Sequence, residues 1–376
     1  MPSGQQGQSD YDGSRADGDR PSALSRTTET PERPDQHAIP ALEGDRRKRH
    51  GDRSQRVPLT RSVLQERGRA WIHWPFEIGA SQLSLLIVGR VRWFRLRRRR
   101  PNAYKTAMLL ASVEYARPRS LDEALSLLAA NPNARALAGG QTLVNVMKAR
   151  IAAPELLVDL NEVPELRGIR ETDDGLELGA MVTYTQLARA EEVHRERPIL
   201  ADVAAQIADV QVRNRGTVGG NVCSNDPTNH LPPVLVAVGA TMAIAGASGI
   251  RLVAAEEFFL GVYLTAVGAG ELLTGISVPR RQGGDGFASV TIGADGTCIA
   301  NAAASVNGNV RVVLGCVAAT PVVVEAPSAD EGAVRQAVAS AELDPPSDIH
   351  APAEYRRQLA IVLAARAARQ AREEAA

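Results

Sequence analysis

Two glycine-rich segments hold the residues whose types and spacing could do chemistry: Ala138-Gly139-Gly140-Gln141-Thr142-Leu143, and Arg215-Gly216-Thr217-Val218-Gly219-Gly220-Asn221-Val222-Cys223. Consecutive glycines let a chain adopt positive φ and aim successive N–H groups into one concavity, which suits a diphosphate. Thr142 and Thr217 place hydroxyls beside the glycines, and Gln141 and Asn221 place amides there. A single Gly-Gly pair would read as a tight turn, but two such segments in one chain favour a binding role. Neither fits G-x-G-x-x-G, and G-x-x-x-x-G-K-[ST] is absent, so a Rossmann site and a P-loop find no support. With little fixed positive charge between them, the two segments suggest a dinucleotide held across its pyrophosphate by neutral donors. HExxH is also absent, and the proximity of Ser224 to His230 reads as a loop coincidence.

The cysteines limit what else the chain can carry. Cys223, Cys298 and Cys316 contain no C-x-x-C pair for zinc or redox exchange. A cysteine-ligated iron–sulfur cluster usually takes four thiolates, so three cannot hold one alone. Three is also too few and too odd for a disulfide framework, which points to a reducing, cytoplasmic setting.

The chain has 376 residues, 44% of them hydrophobic, enough for two or three compact domains. Lys plus Arg and Asp plus Glu number 43 each, so no overall basic excess argues for nucleic acid. That zero averages two unlike pieces: 21 basic against 12 acidic residues before Met108, then 22 against 31. Residues 1–107 are expected to be a disordered or spurious N-terminal extension, with translation beginning at Met108 in the second case. The extension contains Trp71, Trp74, Trp93, the apolar stretch Ile78 to Gly89, and a cluster from Arg95 to Arg100. The stretch falls short of the roughly 20 residues a spanning helix needs, so no transmembrane segment is expected. The arginine cluster could meet anionic lipid or nucleic acid; a solvated run is the reading preferred here.

Positioning elements become legible from Val113. Ser120 and Glu123 form a capping box opening a helix with Leu121, Leu125 and Leu128 on one face. A strand at Arg135–Ala138, a helix at Thr142–Arg150 and a strand at Leu156–Leu160 make a β-α-β unit with the first glycine pair as its turn. Leu176–Ala180 alternates as a strand, Thr183 and Gln186 cap a further helix, and Pro198 to Val210 has helical spacing. Arg213 to Pro233 reads as a polar glycine loop. Strands follow near Thr241–Ala245, Ile250–Val253 and Leu272–Val278. Asn307-Gly308 marks a hairpin between Ala300–Val306 and Val310–Leu314, and a helix from Ala353 to Arg372 closes the pattern.

From about Val113 to Gln370, roughly 70% of the chain, the sequence resembles the FAD-binding medium subunit of the molybdenum hydroxylases, the xanthine and carbon monoxide dehydrogenase family. The match rests on A-G-G-Q-T-L at 138–143 and on TVGGNVCSNDPTNHLPPVLVAVG from Thr217 to Gly239. Phe258-Phe259 before Gly261, and Tyr355-Arg356-Arg357-Gln358-Leu359-Ala360, extend it. The resemblance implies an α+β fold: a PCMH-type FAD-binding region of two α/β subdomains at about 113–165 and 166–282, then a C-terminal α+β domain at 283–376. It implies that Ala136, Leu137, Ala138, Gly139, Gly140, Gln141, Thr142 and Leu143, with Thr217, Val218, Gly219, Gly220 and Asn221, embrace the pyrophosphate and ribityl chain. Ile207 would lie near the adenine or the ring, and Leu273 within Leu272–Ile276 would approach the isoalloxazine. The family commonly has Asp nine residues after the Asn of its second loop, and here that position is His230. Either His230 or Asp226 would then accept from a ribose or ribityl hydroxyl.

The resemblance further implies an electron-transfer flavoprotein within a molybdopterin dehydrogenase. Molybdopterin would sit on a large partner and [2Fe–2S] clusters on a small one, the whole assembled as a dimer of heterotrimers. The missing cysteine set agrees with clusters on another chain, and the lack of a cysteine-rich insertion argues against the subtype whose medium subunit holds its own [4Fe–4S] cluster. The rival oxidoreductase is a stand-alone flavoprotein of the same fold, which would need an acid or base beside the flavin. A rival of another class is a membrane- or nucleic-acid-associated adaptor acting through the Arg95–Arg100 cluster. Neither substrate nor terminal acceptor is written in these residues.

Overall fold

The computed structural model describes residues 110–293 and 296–376. The expected extension at 1–107, with its three tryptophans and its arginine cluster, lies outside the described residues. Among the described residues no helix is long and apolar enough to cross a membrane.

The first layer is a parallel sheet of β1 (Glu114–Ala116), β2 (Ala134–Leu137) and β3 (Leu156–Asp159), in the order β1-β3-β2. Helix α1 (Leu121–Ala130) links β1 to β2, and α2 (Leu143–Lys148) links β2 to β3. Ser120 Oγ accepts from Glu123 N at 3.2 Å, whereas the Glu123 carboxylate reaches back to Arg119 N at 2.9 Å, one residue earlier than a reciprocal box requires. Ala124 and Leu128 of α1 bury against Leu156 and Val158, with Leu160, Val163 and Leu166 closing the cluster.

The second layer is an antiparallel sheet in the order β4-β5-β10-β6-β7. Its strands are β4 (Ile169–Thr172), β5 (Gly175–Gly179), β6 (Thr241–Gly246), β7 (Gly249–Ala254) and β10 (Leu272–Pro279). Between β5 and β6 run α3 (Tyr184–Arg189), α4 (Glu191–Glu196), α5 (Pro198–Gln206), α6 (Val210–Arg215), α7 (Val218–Ser224) and α8 (Leu231–Ala237). A short α9 (Ala255–Phe258) and the two-stranded β8 (Phe259–Gly261) and β9 (Leu264–Thr265) precede β10. Two expectations change here. The helix expected over Pro198–Val210 stops at Gln206, because Asp209 caps a new helix, accepting from Val212 N at 2.8 Å. Ala208 takes the break at φ 45°, and Arg213 Nη1 donates to the freed carbonyls of Ile207 and Ala208. The expected loop Arg213–Pro233 contains α7, with Thr217 as its N-cap and left-handed Asn225 as its C-cap. Apolar burial of Val218 and Val222 outweighs the poor helix propensity of Gly-Gly-Asn.

The third layer is antiparallel: β11 (Gly284–Ile292), β12 (Thr297–Asn307), β13 (Asn309–Gly315) and β14 (Val322–Ala326), in sequence order. Gly308 turns the β12–β13 hairpin at φ 69°. Helices α10 (Glu331–Ala339) and α11 (Ala353–Ala375) cover one face. Along β11 the approach of α11 is so close that a Cβ at Gly286 would lie 2.0 Å from the Ala367 carbonyl oxygen.

Arg197, at the start of α5, joins the second and third layers. Its Nε lies 2.7 Å from Asp285 Oδ2, Nη2 donates to Asp285 Oδ1 at 3.0 Å, and Nη1 donates to Pro279 O at 2.9 Å. Both side chains are buried; burial raises the Asp285 pKa and the neighbouring guanidinium opposes it. Breaking such a pair strands a buried charge and costs about 3–5 kcal/mol. Urea unfolding of Asp285→Ala should therefore show a loss of that size, and joint replacement, Arg197→Met with Asp285→Leu, should recover most of it.

Candidate functional site

The first glycine segment leaves the carboxyl end of β2, with Ala136 and Leu137 on the strand and Ala138 just beyond it. Asn161, past the end of β3, reaches across: its Nδ2 donates to Ala138 O at 3.3 Å and to Asp159 Oδ1 at 2.6 Å. Burial works against ionised Asp159, yet hydrogen bonds from the Tyr115 hydroxyl and Asn161, with Arg117 nearby, hold its pKa below the usual carboxylate range. The turn is thus braced by a charged anchor at the end of the parallel sheet. Gly140 has φ 73°, a conformation that side chains disfavour. Gln141 Nε2 donates to Gly139 O at 3.1 Å. Thr142 is exposed and starts α2 without a capping hydrogen bond from its side chain, and Leu143 begins the helix proper.

In the second segment Thr217 Oγ1 accepts from Gly220 N at 3.0 Å. The N–H groups of Val218 and Gly219 donate to Val182 O and Ala180 O, tying α7 to the end of β5 and the chain beyond it. Gly219 faces Ala180, where a Cβ would meet the carbonyl oxygen at 2.6 Å. Asn221 is buried; its Nδ2 donates to Tyr184 Oη at 3.0 Å, and its Oδ1 is left without a partner. Burial pushes the Tyr184 pKa up to about 12, so this phenol stays neutral.

The two segments meet main chain to main chain. A Cβ at Gly139 would lie 2.1 Å from Arg215 O and 2.9 Å from Gly216 Cα. One at Gly220 would lie 3.7 Å from the Ala138 methyl. Gly140 and Gln141 are half-buried along this seam, and Thr142 and Gly220 are open to solvent. The remaining expected residues lie elsewhere. Ile207 and Leu273 are buried in the apolar cluster of the second layer, together with Val218 and Val222. Asp226 is already engaged: Oδ1 accepts from Thr228 N and Oγ1, and Oδ2 accepts from the Tyr263 hydroxyl at 3.1 Å. His230 is buried 5.5 Å from the ring of Phe287, centroid to centroid, with Nε2 unpartnered.

A cleft of about 440 Å³ shares Arg215 and Thr217 with the seam. Asn161, Arg167, Met181, Thr183, Thr185, Gln186 and Asn214 complete its lining. Of the lining, the sequence singles out Arg215 and Thr217 within the second glycine segment, and Thr183 and Gln186 only as a helix cap. It assigns Asn161, Arg167, Met181, Thr185 and Asn214 to no site, and most of these come from distant stretches that fold together. Among the described residues no group of three or more His, Cys, Asp or Glu could hold a metal. The seam instead has an exposed glycine at Gly220, an exposed Thr142 hydroxyl and a start of α2 that no side chain caps, features that suit a diphosphate-bearing cofactor.

Comparison with known proteins agrees with this chemistry. Residues 111–281 match the family described as the FAD binding domain in molybdopterin dehydrogenase. The carbon monoxide dehydrogenase medium chain of Afipia carboxidovorans is 37% identical over 286 residues, 71% of this chain and 99% of that one. The nicotine 6-hydroxylase medium subunit of Paenarthrobacter nicotinovorans is 32% identical, covering 67% and 94% of the two chains. In the crystal structure of a cyanide-inactivated Cu,Mo-CO dehydrogenase, a chain 36% identical superimposes with a TM-score of 0.68, covering 71% of this chain and all of that one. By fold, by domain match and by similarity over nearly the whole length of the relatives, the chain belongs to the FAD-binding medium subunits of the molybdenum hydroxylases.

Proposed function

We propose that this chain is the electron-transfer subunit of a molybdopterin-dependent hydroxylase or dehydrogenase complex, taking electrons from [2Fe–2S] clusters on a small partner and passing them through FAD to a terminal acceptor. Substrate chemistry would then belong to a large molybdopterin-bearing partner, and the assembly would be a cytoplasmic dimer of heterotrimers. The observation that carries this reading is the seam, where two glycine main chains meet and leave Gly220 and the Thr142 hydroxyl exposed to solvent. The relatives are themselves named as medium chains or subunits of larger enzymes, which supports partners here.

FAD, when bound, supplies exchange of electrons singly with a cluster and in pairs with an acceptor; the protein holds and orients it. In this proposal the main chain of Gly139, Gly140 and Gln141, the Thr142 hydroxyl, and Gly220 with Asn221 hold the pyrophosphate and ribityl chain. Ala136 to Ala138, Leu143, Thr217, Val218 and Gly219 shape the two segments behind them. Ile207 and Leu273 back the site with apolar surface, and Asp226 or His230 accepts from a hydroxyl. The proposed domain boundaries are 113–165, 166–282 and 283–376. Three thiols cannot ligate a four-cysteine cluster, which supports a reading in which the clusters belong to another chain.

Gly220→Val would put a branched side chain on the exposed side of the second segment, its Cβ 2.8 Å from Thr217 Oγ1. Gly140→Val would strain a φ of 73° against Val144 and Leu137, so each disturbs a segment proposed to hold the pyrophosphate. FAD per chain, read from flavin absorption, should fall several-fold while the circular dichroism spectrum is unchanged; full retention of flavin in both variants would refute the assignment. Affinity purification of the native protein should recover two further subunits together with molybdenum and iron, whereas a monomer that oxidises substrate alone would overturn the electron-transfer reading.

His230 also predicts a pH dependence. Burial pushes its pKa down to about 4, below the value of about 6.5 expected when unfolded. The unfolded chain therefore takes up the proton first, so stability is full above pH 6.5 and declines as the pH falls towards 4, by on the order of 2–3 kcal/mol. His230→Phe should flatten that part of a stability profile measured by urea unfolding. An unchanged slope would mean that other groups set it.

A further inference from the structure

Cys298 and Cys316 share no sequence motif, yet the fold brings them together. The β12–β13 ladder pairs Asn301 with Gly315, and the next residue, Cys316, leaves the strand at φ 64°. Asn301 Nδ2 then lies 3.4 Å from Cys298 Sγ and 3.6 Å from Cys316 Sγ, and the two thiols hydrogen-bond to each other. Room for the Asn301 amide depends on glycine at 315, where a Cβ would lie 2.4 Å from Asn301 Oδ1.

A buried guanidinium completes the cluster. Arg356 donates from Nη1 to Ile299 O and from Nη2 to Asp348 Oδ2, each at 2.6 Å. Its charge favours ionisation at the pair, but the hydrogen bond to Cys298 and burial hold the Cys316 thiol well above the ordinary value, so Cys298 is the one that ionises. Hydrogen bonds from Cys316 and Asn301 hold the Cys298 pKa below the ordinary thiol value despite burial, and the neutral thiol donates to Ala300 O at 3.3 Å. Cys223 is the internal contrast: burial pushes its thiol up to about 12. Cys316 also lines a small pocket with Asn225, Asp226 and Asn229, which gives the pair a side facing a void.

We propose that Cys298 and Cys316 form a site of reversible oxidation, a dithiol that closes to an intramolecular disulfide on reaction with hydrogen peroxide. The first thiolate of the pair attacks the O–O bond, becoming a sulfenic acid and releasing hydroxide, which takes up the proton lost on ionisation to become water. The second sulfur displaces the sulfenic hydroxyl as a second water, its own proton going to that oxygen, and the S–S bond forms. The dithiol loses two electrons and two protons, and peroxide is reduced to two waters. A small external dithiol reverses the step by exchange. The site needs no flavin, so it stands or falls apart from the FAD assignment.

The test uses the full chain, exposed to increasing peroxide, quenched, denatured, alkylated with N-ethylmaleimide and digested for mass spectrometry. At peroxide levels that leave Cys223 fully alkylated, a cross-linked peptide joining Cys298 to Cys316 should accumulate, lighter by two hydrogens than the reduced pair and lost after dithiothreitol. Both cysteines remaining alkylated after Cys223 has begun to oxidise would overturn the proposal, as would disulfides formed mainly with Cys223. Cys316→Ser and Cys298→Ser each remove a resolving thiol, and dimedone should then label the remaining cysteine in at least one variant. Absence of label in both would overturn it as well.

Discussion

At Gly139 the backbone of the parallel layer lies against the carbonyl of Arg215 with no room for even one methyl group between them. Every other feature of the site follows from that approach. It sets the first glycine turn beside the N-cap of α7, and it turns Gly220 towards Ala138. It also forms one wall of the cleft that Arg215 and Thr217 border. The contact holds because each side is fixed independently. Asp159 and Asn161 brace the turn on one side, and the N–H bonds of Val218 and Gly219 hold α7 on the other. The glycines therefore divide the labour: Gly139 and Gly219 permit close packing, Gly140 supplies the positive φ of the turn, and Gly220 leaves backbone exposed.

The third layer reaches the same site from behind. Asn301 on β12 donates to the carbonyl of Asn229 at 3.3 Å, Phe287 on β11 packs against His230, and Asp285 receives Arg197. The first two contacts fall on the stretch that follows α7, so the end of the second glycine segment is held between two layers, and the third ties in the start of α5. Left-handed Asn225, whose Nδ2 donates to Gly261 O and Leu264 O, fastens that stretch to the β8–β9 pair.

How much of this was legible depended on the range of each interaction. The β-α-β unit with its glycine turn, the Thr183–Gln186 box and the Asn307-Gly308 hairpin are local, and the sequence displayed each of them. Helix α7 was hidden because Gly219, Gly220 and Asn221 disfavour a helix, and only the Thr217 cap and the burial of Val218 and Val222 restore it. The break at Ala208 was hidden because Ile207 and Val210 kept the apolar spacing across it, while Asp209 decided the outcome. The Arg197–Asp285 pair and the meeting of Cys298 with Cys316 depend on strands far apart in the chain, which no spacing rule could place. Of the site, the two segments were legible and the cleft beside them largely was not.

The long helix α11 has one further consequence. Its buried face is mostly alanine, from Ala360 through Ala364, Ala365, Ala367 and Ala368 to Ala371, and it lies against the glycines of β11. Small residues on both sides let helix and sheet approach nearly backbone to backbone, so this layer coheres through closeness of fit more than through large apolar side chains. Evolutionary drift along this face should accordingly be lopsided. Added methylenes would force the helix off the sheet, and exchange among the smallest residues is the variation that such a joint can absorb.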